Sequence, residues 1–321
     1  MAVRIAVAQG ALANLDEVVA GLPADVELVT GSVDTPARVA ELTEGAQALV
    51  VSLHRLDEAA FSALPDSVRV IGRAGVGLDT IDLDAARRRN VAVVYQPAYA
   101  TGEVATHAVA MLLSLQRRLG PADAAVRAGW GSATDVGRVW SMDTASVAVV
   151  GCGRIGRAVV DRLRPFFGEV RVFDPFVTDD VPGARVVSSL AALVDGADAL
   201  TLHVPLQAQT RHLIGSPEIG AMNSGSLLVN VSRGGLVDEA ALAKALHDGH
   251  LAGAGLDVFE TEPLPEPSAL RSAPNLLLSP HVAWYSETAA TRLRDWTIAD
   301  VLSYTTRGQI THGRFAAGTG S

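Results

Sequence analysis

Three segments in the second half of the chain carry side chains suited to anion and proton chemistry: Asn230-Val231-Ser232-Arg233-Gly234-Gly235, Asp257-Val258-Phe259-Glu260-Thr261-Glu262-Pro263 and Ser279-Pro280-His281-Val282-Ala283-Trp284. An arginine grips a carboxylate with two parallel N–H donors and polarises a carbonyl beside it, a geometry lysine does not reproduce. An imidazole titrates near neutrality, so a histidine gives a proton to a developing alkoxide in one direction and takes it back in the other. A glutamate next to that ring orients it and favours its protonated form. Arg233, Glu262 and His281 together therefore suit the interconversion of a 2-oxoacid and a 2-hydroxyacid, provided the chain also holds a hydride carrier. Singly, each has an ordinary alternative: a surface ion-pair arginine, a turn glutamate before Pro263, a loop histidine.

A candidate site for the carrier lies upstream. A strand pattern at Ser146–Val150 runs into Gly151-Cys152-Gly153-Arg154-Ile155-Gly156 and then a helix. In that setting the first glycine permits a tight turn, the second lets backbone approach a pyrophosphate and the third lets helix and strand pack closely, with the helix N-terminus facing the anion. Asp174 ends the next strand at about the ~20-residue spacing at which a carboxylate accepts hydrogen bonds from an adenosine ribose. It would repel a ribose 2′-phosphate, and Pro175 and Phe176 bring no cation to welcome one, so the expected cofactor is NAD and not NADP. The alternative is a plain strand-to-helix turn with Asp174 as a strand cap. Cys152 has no partner cysteine and reads as a small packing residue, not a redox group.

The elements that must position these groups are legible as alternating patterns. Val-, Ile- and Leu-rich runs at Val3–Ala8, Val26–Thr30, Ala48–Ser52, Val68–Gly72 and Val91–Val94 are separated by amphipathic stretches, the signature of a parallel sheet covered on both faces. A long apolar helix is expected at Glu103–Arg118 and a loop from Gly129 to Thr144. A second strand series follows at Ser146–Val150, Glu169–Phe173, Ala199–His203, Ser226–Asn230 and Gly253–Asp257. A last helix from Glu287 to about Tyr304 is assigned back to the first sheet, and the Gly-rich end from Gly313 to Ser321 is expected to fray. The expected fold is α/β with two doubly wound parallel-sheet domains. A Rossmann NAD-binding domain, residues 99–286, is inserted in a discontinuous flavodoxin-like substrate domain, residues 1–98 and 287–321. Loops after the strands of an open parallel sheet gather at one edge, so Arg233, Glu262 and His281 are expected to converge.

Composition narrows the partners. A chain of 321 residues, 49% hydrophobic and 19% charged, can fill two cores. Its net charge of -9 and lack of a clustered Lys/Arg block argue against nucleic acid. The longest apolar helical stretch, Val104–Leu115, is broken by Thr106, His107 and Ser114, short of the ~20 residues of a membrane span. No export pattern opens the chain, and with one cysteine the expected compartment is the cytoplasm. No metal site is expected.

With Arg73-Ala74-Gly75-Val76-Gly77-Leu78-Asp79 and Leu202-His203-Val204-Pro205-Leu206, these segments resemble the D-isomer-specific 2-hydroxyacid dehydrogenases, over roughly Val68 to Leu302. The resemblance implies reversible NAD-dependent reduction of a 2-oxoacid to a D-2-hydroxyacid, with the substrate carboxylate held by Arg233 and the backbone amides of Val76 and Gly77. It implies that His203, Val204, Pro205, Thr210, Val231, Ser232 and Asp257 join Gly151, Cys152, Gly153, Arg154, Ile155, Gly156 and Asp174 around the cofactor. It also implies a homodimer formed through the nucleotide domain. The run Pro280–Glu287 is most similar to the C-terminal binding protein branch, which carries a rival reading: an NAD(H)-sensing corepressor-like scaffold with little turnover. Trp284 is either a substrate-binding pocket floor or interdomain packing. Arg55, just after Ala48–Ser52, is either a site for a second substrate anion or a solvated arginine.

Overall fold

The computed structural model describes residues 3–132, 134–177 and 179–318. The chain divides into two compact units, one formed by the residues up to Ala100 together with those from Ser286 onward, the other by Thr101–Tyr285.

In the first unit, strands β1 (Val3–Ala8), β2 (Val26–Gly31), β3 (Ala48–Val51), β4 (Val70–Arg73) and β5 (Ala92–Tyr95) alternate with helices α1 (Leu15–Val19), α2 (Pro36–Thr43), α3 (Glu58–Ala63) and α4 (Leu83–Arg88). Every residue of β3 and β4 is buried, as strands covered on both faces require. Three helix starts are fixed by side-chain caps: Thr35 accepts from the Arg38 amide, Asp57 from Ala60, and Asp82 from Asp84 and Ala85. Parallel pairing gives the order β2-β1-β3-β4-β5, the flavodoxin-like arrangement. The loops after β3 and β4 lie side by side. The Ser52 hydroxyl donates to the Ala74 carbonyl at 3.3 Å, and Leu56 and Ile81 form a parallel bridge.

The second unit opens with α5 (Thr101–Gln116) and α6 (Leu119–Arg127). It continues through β6 (Ser146–Val150), α7 (Arg154–Leu163), β7 (Glu169–Phe173), β8 (Arg185–Val186), α8 (Leu190–Val194), β9 (Ala199–Leu202) and α9 (Ser216–Ala221) to β10 (Ser226–Asn230), α10 (Glu239–His247), β11 (Leu251–Leu256) and β12 (Leu276–Leu278). All seven strands pair in parallel, in the order β8-β7-β6-β9-β10-β11-β12. Ranked along the chain this is 3-2-1-4-5-6 with a seventh strand added, the Rossmann order, and its direction reverses between β6 and β9. The period-two rule sorts β6 between two cores. Val147 and Val149 join Val159, Met111 and Leu112 on one face, while Ala148 and Val150 join Leu200, Leu228 and Leu242 on the other.

Helix α11 (Glu287–Arg307) returns to the first unit and packs on β1, β3, β4 and β5, and strand β13 (Arg314–Ala317) pairs antiparallel with β5. The expectation of a frayed end from Gly313 is thereby corrected, with residues 319–321 outside those described. The reason is the fully buried Asp300 carboxylate on α11, which accepts from the amides of Thr311 at 2.7 Å, His312 at 3.0 Å and Gly313 at 2.7 Å, and from Gln96 Nε2 at 2.9 Å. That clamp aims the chain along the open edge of β5. Among the described residues no helix is long and apolar enough to cross a membrane, and no group of three His, Cys, Asp or Glu residues could hold a metal ion.

Candidate active site

The turn after β6 has the geometry a dinucleotide needs. Gly151 has φ +90°, and a Cβ there would come within 2.5 Å of the His203 carbonyl oxygen. A Cβ on Gly156 would come within 2.0 Å of the Gly151 carbonyl oxygen, whereas one on Gly153 would meet nothing within 4 Å. The first and third glycines thus close the turn and seat α7 on it, while the second leaves an open backbone face at the N-terminus of α7, where Arg154 and Ile155 begin the helix. Asp174, just beyond β7, is held against this turn: its carboxylate accepts from the Cys152 amide at 2.8 Å and the Phe176 amide at 2.9 Å. The Cys152 side chain is buried, and burial pushes its thiol pKa up, which suits packing and not nucleophilic chemistry.

The other expected cofactor residues are stitched to the same sheet edge. His203 follows β9, with Nε2 2.9 Å from the Thr201 hydroxyl. Burial pushes its imidazole down to about 3, so the ring is neutral at physiological pH, and its Nδ1 has no hydrogen-bond partner among the described residues. The Val204 side chain lies beside Gly151, and the Pro205 carbonyl accepts from the Thr210 hydroxyl at 2.8 Å. Past β10, Val231 is buried and the Ser232 hydroxyl donates to the Leu202 carbonyl at 2.7 Å, tying the β9 and β10 loops together. An open backbone face at a helix N-terminus, with a fixed carboxylate one strand away, fits a dinucleotide.

Arg233, Glu262 and His281 come together in this second unit. Asn230, fully buried at the end of β10, accepts from the Ser232 amide at 3.0 Å and donates from Nδ2 to the Arg233 carbonyl at 2.8 Å, which sets the turn that carries the arginine. The next residue must be glycine, because a Cβ on Gly234 would lie 1.8 Å from the Phe259 carbonyl carbon. That close approach brings the loop after β10 against the loop after β11. On the latter, Glu262 Oε1 accepts from the Phe259 amide at 3.0 Å and Oε2 lies 2.7 Å from His281 Nδ1. Burial opposes ionisation of Glu262 and is the largest influence. The hydrogen bonds from His281 and the Phe259 amide, with the His281 and Arg233 charges, outweigh it and hold the carboxyl below its ordinary value. An ionised Glu262 only accepts, so His281 Nδ1 carries the proton between them and Nε2 is the nitrogen left for exchange.

His281 adopts a left-handed φ of 56°, uncommon for a residue with a Cβ. Asp257 beneath it is fully buried; its carbonyl accepts from the His281 amide at 2.8 Å, and its carboxylate accepts from the amides of Val282 at 2.9 Å and Ala283 at 2.8 Å. Trp284 donates from its indole N–H to the His281 carbonyl at 3.1 Å and meets Tyr285 edge to face. In the first unit, Val76 and Gly77 sit on the loop after β4, where the buried Arg73 donates from Nε to the Gly77 carbonyl at 2.8 Å, and Arg55 is exposed on the adjacent loop after β3.

Sequence reasoning missed Asn230, Gly234, Ser279 and His107 as members of this arrangement. His107 entered only as an interruption of an apolar helix. A histidine within a largely apolar helical stretch rich in Ala, Val, Met and Leu was the available signal that a polar partner waits on a neighbouring element.

Residues 109–283 match the family model described as D-isomer specific 2-hydroxyacid dehydrogenase, NAD binding domain. The chain is 38% identical over 273 residues to a (S)-sulfolactate dehydrogenase of Chromohalobacter salexigens, covering 84% of this chain and 87% of that protein. It is 36% identical over 259 residues to a D-3-phosphoglycerate dehydrogenase of Bacillus subtilis, covering 80% of this chain but only 49% of that protein, so the chain spans about half of that relative's length. Among solved structures it superposes on an NADPH-dependent glyoxylate/hydroxypyruvate reductase from Sinorhizobium meliloti with a TM-score of 0.86 at 30% identity, covering 99% of this chain and 98% of that one.

Proposed function

Because the chain belongs to the D-isomer-specific 2-hydroxyacid dehydrogenases, we propose that Arg233, Glu262 and His281 carry out the interconversion of a 2-oxoacid and its 2-hydroxyacid in this protein. The chain is a nicotinamide-dinucleotide-dependent oxidoreductase of 2-hydroxyacids. The single observation that carries the assignment of roles is the 2.7 Å pair of His281 Nδ1 and Glu262 Oε2, with the Arg233 charge acting on the same carboxyl.

When bound, the nicotinamide supplies or takes up the hydride; the chain handles the proton and the charge. His281, its Nδ1 proton engaged by Glu262, donates a proton from Nε2 to the alkoxide formed in reduction and recovers it in oxidation. Arg233 binds the substrate carboxylate and polarises the neighbouring carbonyl. The amides of Val76 and Gly77 are assigned to the same carboxylate by family resemblance, and Trp284, which braces the His281 backbone, to the substrate side chain. Gly151, Gly153 and Gly156, with Arg154 and Ile155 opening α7, would hold the pyrophosphate, and Asp174 the adenosine ribose. His203, Val204, Pro205, Thr210, Val231, Ser232 and Asp257 would surround the nicotinamide half. The fixed Asp174 carboxylate supports NAD over NADP, since it would repel a 2′-phosphate.

Arg55 extends the reading to substrate class. It is exposed on a loop tied to the Val76–Gly77 loop, and one relative is named for sulfolactate, a hydroxyacid with a second anionic group. We assign Arg55 to that second anion. A homodimer formed by the second unit is supported by the apolar surface of α6 and the segment after it, where Leu119, Val126 and Trp130 are 56%, 55% and 81% exposed. A reducing cytoplasm is supported by the lone, buried Cys152. The scaffold reading rests on the Pro280–Glu287 likeness alone, whereas the relatives described above are named dehydrogenases and a reductase.

The test is NADH consumption with glyoxylate, pyruvate, hydroxypyruvate, phenylpyruvate, 3-phosphonopyruvate and 3-sulfopyruvate. Wild type is expected to turn over at least one, and Arg233→Ala to lose roughly 100-fold or more in kcat/KM, the scale of a charge-assisted pair worth about 3 kcal/mol. Arg55→Ala should penalise the phosphonate and sulfonate substrates more than pyruvate. NADH binding without turnover of any 2-oxoacid would overturn the catalytic reading and favour the scaffold.

A further inference from the structure

His107 stands on α5, a helix that packs on α7, β10 and β11 and otherwise supplies Ala105, Ala108, Met111 and Leu112 to the core. Its Nε2 lies 3.0 Å from the Ser279 hydroxyl oxygen and 3.8 Å from Asp257 Oδ1. The Ser279 hydroxyl in turn donates to Asp257 Oδ1. Proton counting gives this chain a direction. The fully buried Asp257 carboxylate accepts from the Ser279 hydroxyl and from the amides of Val282 and Ala283. A serine hydroxyl has one proton, and here the carboxylate takes it, so Ser279 Oγ must accept from His107 and His107 Nε2 must carry a hydrogen. The order is His107 N–H to Ser279 O–H to Asp257 carboxylate.

Asp257 is where the chain acts on the reaction. Its carboxylate and carbonyl take the amides of residues 281, 282 and 283, and so fix the left-handed backbone at His281. Such a conformation on a residue with a Cβ persists only where the surroundings over-determine it. We infer that His107 is a positioning residue for the acid–base histidine: through Ser279 it orients the Asp257 carboxylate that keeps the 279–283 loop, and with it the His281 ring, in register with Glu262. Among the described residues no hydrogen bond or ion pair joins His107 to Glu262 or His281; its effect passes through two intermediates. The inference rests on His281 being the acid–base group, so His281→Ala is run alongside, and full turnover by that variant would sink the underlying reading independently of His107.

The experiment measures kcat, KM for the 2-oxoacid, Kd for NADH by fluorescence, and Tm for His107→Ala, His107→Gln, Ser279→Ala and the His107→Ala/Ser279→Ala double variant. His107→Ala should lower kcat about 10-fold or more, as small misplacements of a catalytic group do, with Kd for NADH near wild type. His107→Gln, whose side-chain N–H reaches the place of Nε2, should recover most of kcat. The double variant should be no worse than the more impaired single one, because both break one chain. The His281 imidazole NMR signals should move in His107→Ala and return in His107→Gln. Wild-type kcat in His107→Ala, a folded His107→Gln as impaired as His107→Ala, or additive losses in the double variant would each overturn the inference. If His107→Ala does not fold, the kcat and His281 signals of His107→Gln and Ser279→Ala decide: no change in Ser279→Ala overturns it.

Discussion

Among single residues, Glu262 ties protein stability to the proton inventory of the site. Its pKa is held below the ordinary carboxylate value in the folded protein, so its contribution to stability is complete above the unfolded value of 4.5 and is lost as pH falls through the lower folded value. The stability difference between wild type and Glu262→Gln should therefore shrink as pH falls below 4.5, as measured by denaturant melts across pH. A difference that grows on acidification would contradict the pairing with His281. Arg233, Glu262 and His281 were legible in the sequence because their types announce their chemistry, and Arg233 and Glu262 also follow expected strands. His107 and Ser279, 172 residues apart, were not, because a histidine and a serine become informative only when the fold sets them 3.0 Å from each other. Asp257 was legible as a site residue, but its use as the template for the His281 loop depends on burial that no local pattern reports.

Among elements, the β6–α7 turn allows two changes to be told apart. A methyl group at Gly153 meets no protein atom within 4 Å, so Gly153→Ala should fold with an unchanged Tm and lose NADH affinity by blocking the open face. A methyl group at Gly156 lies 2.0 Å from the Gly151 carbonyl oxygen, so Gly156→Ala should lose both affinity and Tm. Equal behaviour of the two in thermal melts and NADH titration would contradict the cradle. At the other end of the chain, Asp300→Ala removes the carboxylate that collects three backbone amides and the Gln96 side chain. With about 1–3 kcal/mol at stake for each buried group left unsatisfied, β13 should lose its amide protection against hydrogen exchange. That strand was missed in the sequence because a polar, glycine-rich surrounding masks a four-residue edge strand that is aimed at β5 by the Asp300 carboxylate. The missed β8 and β12 are two and three residues long, too short to show a period, and α6 has no buried residue to mark a face. The longer strands, all but β2 built mostly of buried residues, announced themselves.

For the whole molecule, the alternation of apolar runs with helical patterns made both parallel sheets legible, and the Gly151–Gly156 turn identified which one binds the dinucleotide. Strand order was not legible locally; it is a matter of pairing between segments tens of residues apart, and connection rules limit it without choosing it. Cofactor choice and assembly are properties at this scale. The fixed Asp174 carboxylate predicts a higher kcat/KM with NADH than with NADPH, and a preference for NADPH would contradict that use of Asp174. Light scattering should show a dimer that Trp130→Ser together with Val126→Ser weakens, whereas a monomeric wild type would remove the proposed role of that exposed apolar surface. The central claim, that this chain performs acid–base chemistry on a 2-oxoacid through His281, is tested most directly by comparing His281→Ala with wild type for NADH affinity and for single-turnover reduction of the best 2-oxoacid. The expected result for His281→Ala is an unchanged Kd for NADH with a chemical step slowed by about 100-fold or more, the usual scale of a lost general acid. A variant that binds NADH normally and reduces the oxoacid at the wild-type rate would contradict it.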